Sequence, residues 1–227
     1  MCIRDSSMGG GASFLAADSL CVNGNTNLKT LIGLAPAEST SNGVSSIASA
    51  QQVTVPAVVL SGSQDGVTPP VDHHIPMYDN LASSCKTFVS VTGGAHCYFA
   101  NSNFNCDFGE STSSSGISIS RTDQHAVTFD FLNNWLDYTL KDDCEAFERF
   151  QDSVQLSPRV TTNQTCATNP VSTISENSGT LTSSETGTSY QWYLNGTAIS
   201  GANNVTYSPT TGAVSYTHLT LPTKVTV

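Results

Sequence analysis

Three residues of this chain have the types and settings that acyl transfer requires: Ser7, Asp65 and His96. A serine hydroxyl is a poor nucleophile until an imidazole accepts its proton, and a carboxylate must then fix the ring's tautomer and stabilise its charged form. Ser7 opens the run Ser7-Met8-Gly9-Gly10-Gly11, ahead of the helix-prone Ala12 to Ala17. A nucleophile at a sharp strand-to-helix turn needs small neighbours, because side chains there clash with the strained backbone. The backbone N–H of Met8, at the start of the helix, is the expected oxyanion donor. Each residue has a blander reading when taken singly. Ser7 could belong to a phosphate-binding glycine-rich turn, Asp65 could be a turn carboxylate, and His96 could be a loop histidine packed on Tyr98. No Lys-Ser/Thr ending or GxGxxG pattern accompanies Ser7, and the three residues together favour the catalytic reading.

The elements that must position these residues are legible around them. Asp65 follows Ala57-Val58-Val59-Leu60-Ser61-Gly62, a strand ending in a loop. His96 follows the strand 86–92 across Gly93-Gly94. Residues 12–20 read as the helix after the elbow, and 28–34 as a strand ending in Ala35-Pro36-Ala37-Glu38. Residues 75–83 read as a second helix. Residues 122–140 form the longest helix, with Val127, Phe131 and Trp135 at helical spacing. Strands alternating with helices imply a mainly parallel sheet, and the continuously apolar acid strand fits burial on both faces. The order Ser, Asp, His along such a chain is that of the α/β-hydrolase fold.

The two ends carry a different signal. Met1-Cys2-Ile3-Arg4-Asp5 can be encoded by ATG TGT ATA AGA GAC, whose reverse complement encodes Val214-Ser215-Tyr216-Thr217-His218. One short DNA element in opposite orientations reads as sequencing-adapter read-through, so residues 1–6 and 214–227 are set aside from fold reasoning. Asp5 then stands where the G-x-S-x-G elbow has its first glycine. The expectation is that residues 7–166 are the second half of a longer hydrolase domain, inactive without the first half. Residues 167–213 are expected to be a linker and a partial β-sandwich module.

Composition bounds the partners. The 227 residues carry a formal net charge of −10 with only 11% charged residues. An acidic surface argues against nucleic acid and anionic membrane, and no apolar run approaches the roughly 20 residues of a membrane span. A monomer is expected. Setting Cys2 aside leaves Cys21, Cys85, Cys97, Cys106, Cys144 and Cys166. An even number without CxxC spacing favours disulfides in an oxidising compartment over a zinc site. The expected pairs are Cys97–Cys106 after the histidine, Cys144–Cys166, and by remainder Cys21–Cys85, with buried free thiols as the alternative. His73-His74 are adjacent and do not face one site, so they are read as solvated positions at a helix start. His125 is read as a surface residue. No metal or organic cofactor is expected.

The segments Ser7-Met8-Gly9-Gly10-Gly11, Ser61-Gly62-Ser63-Gln64-Asp65-Gly66-Val67-Thr68-Pro69-Pro70 and Gly93-Gly94-Ala95-His96-Cys97-Tyr98 resemble the polyester hydrolases of the cutinase-like, dienelactone-hydrolase-related group. These include the polyethylene terephthalate hydrolases, and the Bacteroidetes branch is the nearest resemblance. It implies Ser7 as nucleophile, Asp65 as acid and His96 as base in a secreted or cell-surface bacterial carboxylester hydrolase acting through an acyl-enzyme. It implies cleft positions at Met8, Ala37, Glu38, Val67 and Cys97. Ala37 stands where many relatives carry an aromatic wall, a role Tyr98 or Phe99 could take. A lipase, a carbohydrate acetyl esterase and a catalytically silent surface-binding protein remain as alternatives. Tyr190-Gln191-Trp192-Tyr193-Leu194 with Asn195-Gly196 resembles the immunoglobulin-like modules appended to secreted enzymes of that branch.

Overall fold

A computed structural model of the chain describes residues 2–38, 40, 43–166, 174–183, 190, 192–194 and 197–209. The chain divides into two compact units, residues 1–167 and 168–227.

In the first unit, β1 (Cys2–Ser6), β2 (Thr30–Leu34), β3 (Ala57–Gly62), β4 (Cys85–Val91) and β5 (Val160–Cys166) form one sheet in that order. β1 to β4 are parallel, and β5 returns antiparallel beside β4. The mainly parallel sheet expected from the sequence is present, with an antiparallel edge strand that the sequence reading did not foresee. Residues 2–6, set aside in the sequence reading, pair with β2 from Cys2 opposite Thr30 to Ser6 opposite Leu34.

Alternate residues of each strand point to opposite faces, and this divides the core in two. One face carries Leu31, Ala57, Val59 and Phe88, packed with Phe14 and Ala17 of α1 (Ser7–Val22), Ala50 of α2 (Ser46–Ala50), and Met77 and Tyr78 of α3 (His74–Asn80). The other carries Ile32, Val58, Leu60 and Val89, covered by α5 (Arg121–Lys141) and α6 (Cys144–Leu156) through Phe131, Trp135 and Phe150. The Trp135 ring lies 4.8 Å from that of Phe150 and donates its Nε1–H to Thr30 Oγ1 at 2.7 Å, fixing α5 across β2. Between β4 and α5 lies α4 (Phe104–Ser113), whose N-terminus is capped by the Asn103 side chain accepting from Asn105 and Cys106.

The second unit pairs its strands antiparallel. β6 (Ile174–Asn177) and β7 (Thr180–Ser183) form a hairpin, β8 (Tyr193–Leu194) pairs with β9 (Thr197–Ala198), and β10 (Thr206–Tyr207) pairs with β7. Leu181, Trp192 and Ala202 form its small core. The expected Asn195-Gly196 turn and residues 214–227 lie outside the described residues. Among the described residues no helix is long and apolar enough to cross a membrane.

Candidate active site

β1 ends at Ser6 and α1 begins at Ser7 with no loop between them, so the chain reverses at Ser7 itself, which has φ 53°. An L-residue in the left-handed region is strained by about 1–3 kcal/mol and persists only where its surroundings enforce it. The enforcement is visible. Ala37 donates its backbone N–H to the Ser7 carbonyl at 2.8 Å. α1 lies so close to this segment that a Cβ on Gly11 would fall 2.1 Å from the Ala37 carbonyl oxygen. Only glycine fits there.

Because β1, β3 and β4 are parallel, the residues following them emerge at one edge of the sheet. Ser7 follows β1, Asp65 follows β3 and His96 follows β4. Asp65 and His96 are buried, at 4% and 6% exposure. His96 Nδ1 lies 2.8 Å from Asp65 Oδ2. The other carboxylate oxygen accepts the backbone N–H groups of Val67 at 3.0 Å and Thr68 at 2.7 Å, while the Thr68 hydroxyl reaches Oδ2 at 3.0 Å. The anion is thus held by four donors in a site closed to water, the setting in which it can orient an imidazole.

Residues 1–119 match the family model described as PETase, PET hydrolase-like. The chain belongs to this family. Comparison with curated proteins finds no match. Membership places the chain among α/β-type hydrolases that act on esters.

In this PET hydrolase-like chain, a buried carboxylate absent from the sequence reading joins the loops that carry Asp65 and His96. Glu110 of α4 is 3% exposed. One of its oxygens accepts the backbone N–H of Cys97 at 2.5 Å, next to His96, and the other accepts the Ser114 hydroxyl. Ser114 Oγ in turn accepts the N–H of Gly66, next to Asp65, at 2.8 Å. The close approach is the reason for glycine at 66: a Cβ there would lie 2.0 Å from the Ser113 carbonyl oxygen. Arg121 closes the other side, donating to the Cys97 and Ala100 carbonyls and pairing with Asp107. The one signal that could have revealed Glu110 is its position one helical turn from Cys106.

The cysteines correct part of the pairing read from sequence. Cys97–Cys106 forms as expected and ties the residue after His96 to α4. The second disulfide is Cys85–Cys166, while Cys21 and Cys144 are free thiols. The reason is β5: it runs back along β4 and sets Cys166 directly opposite Cys85. Cys21 and Cys144 therefore leave the list of paired cysteines.

The expected cleft positions separate into several settings. The Met8 side chain is 60% exposed at the first turn of α1, and Val67 is 38% exposed beside the acid. Ala37 and Cys97 are buried, at 4% and 2% exposure, so both bear on the site through their backbones. Glu38 accepts from the Ser45 hydroxyl at 2.6 Å and the Ile47 N–H at 2.8 Å, holding the start of α2. Tyr98 lies beneath the Arg121 guanidinium, 4.6 Å from its ring centroid, and Phe99 packs against the core on the α5 face. A concavity of about 350 Å³ lined by Leu34, Phe99, His125 and Phe129 among others does not include Ser7, Asp65 or His96, so it is separate from the acid–base pair.

The solvated reading of His73-His74 is overturned for His74, while His73 is half-buried. His73 Nδ1 accepts the Glu38 backbone N–H at 2.9 Å, and His74 is fully buried. His73 is the N-cap of α3, with non-helical backbone at φ −123° and ψ −69°, and meets the β2–α2 connection, while His74 is the first helical residue and is buried. Burial lowers the His74 pKa from 6.5 to about 4, against the opposing pull of Asp65. Its ring is neutral at pH 7. Among the described residues no group of three or more His, Cys, Asp or Glu side chains could hold a metal ion.

Proposed function

We propose that this protein is a serine carboxylester hydrolase that cleaves polyesters or other carboxylic esters through an acyl-enzyme on Ser7. The observation that carries the reading is the buried His96–Asp65 contact at 2.8 Å, on the sheet edge where Ser7 turns the chain at φ 53°. His96 Nδ1–H donates to Asp65, which leaves Nε2 as the base. Nε2 accepts the Ser7 proton as Oγ adds to the ester carbonyl, and it returns that proton to the leaving alkoxide when the C–O bond breaks. Water then repeats the sequence on the acyl-enzyme, releasing the acid and restoring Ser7. The Met8 N–H, unpaired within α1 because it lies in the first turn, is placed to donate to the oxyanion. One such donor is worth about 10²–10³ in rate.

The substrate is an uncharged ester presented at an open edge, in an oxidising compartment outside the cell. No cofactor takes part in this chemistry. The test is reaction of the full-length protein with a fluorophosphonate probe, beside turnover of a short soluble ester and of polyester film. Ser7 is expected to be labelled and both substrates turned over, with Ser7→Ala losing on the order of 10⁶ in kcat. Turnover of only the soluble ester would remove the polyester assignment. An unlabelled Ser7 in folded protein would end the reading altogether.

A further inference from the structure

Behind the Asp65–His96 pair lies a buried hydrogen-bonded chain that the proposed mechanism does not use. Ser61, the penultimate residue of β3, is fully buried, as is His74. Ser61 Oγ lies 2.8 Å from His74 Nδ1, and His74 Nε2 lies 3.0 Å from Thr68 Oγ1. Thr68 Oγ1 in turn reaches Asp65 Oδ2 at 3.0 Å and His96 Nδ1 at 2.8 Å. His74 stands 3.7 Å from the same carboxylate oxygen. The charged or titratable groups around it are Asp65, His96 and His73.

The protons in this chain can be assigned by counting donors. Ser61 and Thr68 have one hydroxyl proton each, and neutral His74 has one ring proton. Suppose that proton is on Nδ1. It then donates to Ser61, whose own hydroxyl is left with the Gly62 carbonyl at 3.5 Å, too long to count for much. Thr68 must donate to the bare Nε2, so its oxygen and the Asp65 carboxylate face one another at 3.0 Å with no proton between them. With the proton on Nε2 every group is satisfied. Ser61 donates to Nδ1, Nε2–H donates to Thr68, and Thr68 donates to Asp65, where His96 Nδ1–H also arrives. All donors then run in one direction, towards the carboxylate, and a donor that also accepts is polarised into a stronger one.

We infer that His74 is a positioning residue for the triad: its Nε2–H fixes the direction of the Thr68 hydroxyl, which holds Asp65 as the acceptor of the His96 Nδ1 proton. This rests on the proposed serine-hydrolase reading. His74 does not touch the reacting atoms. Its neutrality at working pH, imposed by burial, leaves one ring nitrogen free to accept from Ser61.

The experiment has a spectroscopic arm and a kinetic arm, both on the full-length protein. In protein carrying ¹⁵N-labelled histidine, long-range ¹H–¹⁵N spectra at pH 7 are expected to place the His74 proton on Nε2 and to show a low-field His96 Nδ1 proton. In His74→Leu that low-field resonance shifts upfield and broadens. The kcat on a soluble ester falls about tenfold, the rate equivalent of one hydrogen bond, with KM unchanged. His74→Gln, whose amide nitrogen can still donate to Thr68, recovers most of the rate. Thr68→Val loses as much as His74→Leu, and the double variant loses no more than Thr68→Val alone. A proton on Nδ1 in the unmodified protein overturns the inference, independently of whether any variant folds. So does a His74→Leu variant with unchanged resonance and rate, or strictly additive losses in the double variant. Absence of fluorophosphonate labelling in the unmodified protein instead overturns the serine-hydrolase reading, and the positioning role falls with it.

Discussion

Glu110 accepts the backbone N–H of Cys97 at 2.5 Å, so the residue that follows His96 is fixed by a carboxylate from α4. The same carboxylate takes the Ser114 hydroxyl, which takes the Gly66 N–H beside the acid. The Asp65 and His96 loops are therefore held by α4 as well as by their own strands. Glu110→Ala leaves the buried Cys97 N–H without a partner and releases Ser114. It is expected to destabilise by about 2–4 kcal/mol in chemical denaturation and to lower kcat. Glu110→Gln keeps one good acceptor for two donors and should fall between the alanine variant and the unmodified protein.

Ser7 makes a prediction of the opposite sign. Ser7 carries positive φ, which glycine adopts without strain. Ser7→Gly is expected to abolish turnover while raising stability by up to about 1 kcal/mol over Ser7→Ala, since relief of strain outweighs glycine's added chain entropy. Paired urea melts of the two inactive variants would test this. Equal midpoints would mean that the turn stores no strain.

His74 gives the protein an acid sensitivity with a defined window. Its pKa is lowered in the folded state from 6.5 to about 4. Between those values the unfolded chain binds a proton that the folded chain does not, so stability rises with pH across the window and is lost as pH falls from about 6.5 towards 4. The full effect approaches about 3 kcal/mol. Asp107 and Asp143 do not share the window. The Ser102 hydroxyl holds the first, and the Ala146 N–H the second, below the usual carboxylate value, so their contribution is lost only at lower pH. Denaturation at stepped pH should show a slope between pH 4 and 6.5 that disappears in His74→Gln.

The two disulfides should differ in weight. Cys97–Cys106 spans 9 residues and Cys85–Cys166 spans 81. On chain-entropy grounds their removal costs about 2.6 and about 4.5 kcal/mol respectively. Thermal melts of the two paired Cys→Ser variants would rank them. The shorter bridge should have the larger effect on kcat, because it restrains the residue after His96.

The places of Asp65 and His96 after their strands were legible in the sequence because each follows an apolar run at a glycine-containing turn, a local signal that survives without tertiary information. The acid strand was read with its observed bounds for the same reason. β5 was not legible. Val160-Thr161-Thr162-Asn163-Gln164-Thr165-Cys166 is polar between its two end residues, and its alternating burial is created by β4 rather than by its own composition, so the Cys166 pairing could not be read. His74 reads as solvated because adjacent histidines at a helix start do not face one site, which says nothing of which one faces the core. The signal was present in His74, Met77 and Tyr78, spaced by three and four residues on the buried face of α3. Glu110 gave less warning, since a carboxylate in a polar helix ordinarily faces water.

The Cys85–Cys166 bridge makes the chain from β4 to β5 a closed covalent loop that contains His96, α4, α5 and α6. Phe104, 83% exposed at the start of α4, lies inside this loop and also inside the smaller one closed by Cys97–Cys106. A protease that cut the backbone beside Phe104 would free no fragment, because His96 and α4 would stay joined on both sides of the cut. The nicked protein would migrate as one molecule until reduced, and His96 would survive digestion still tethered to its place.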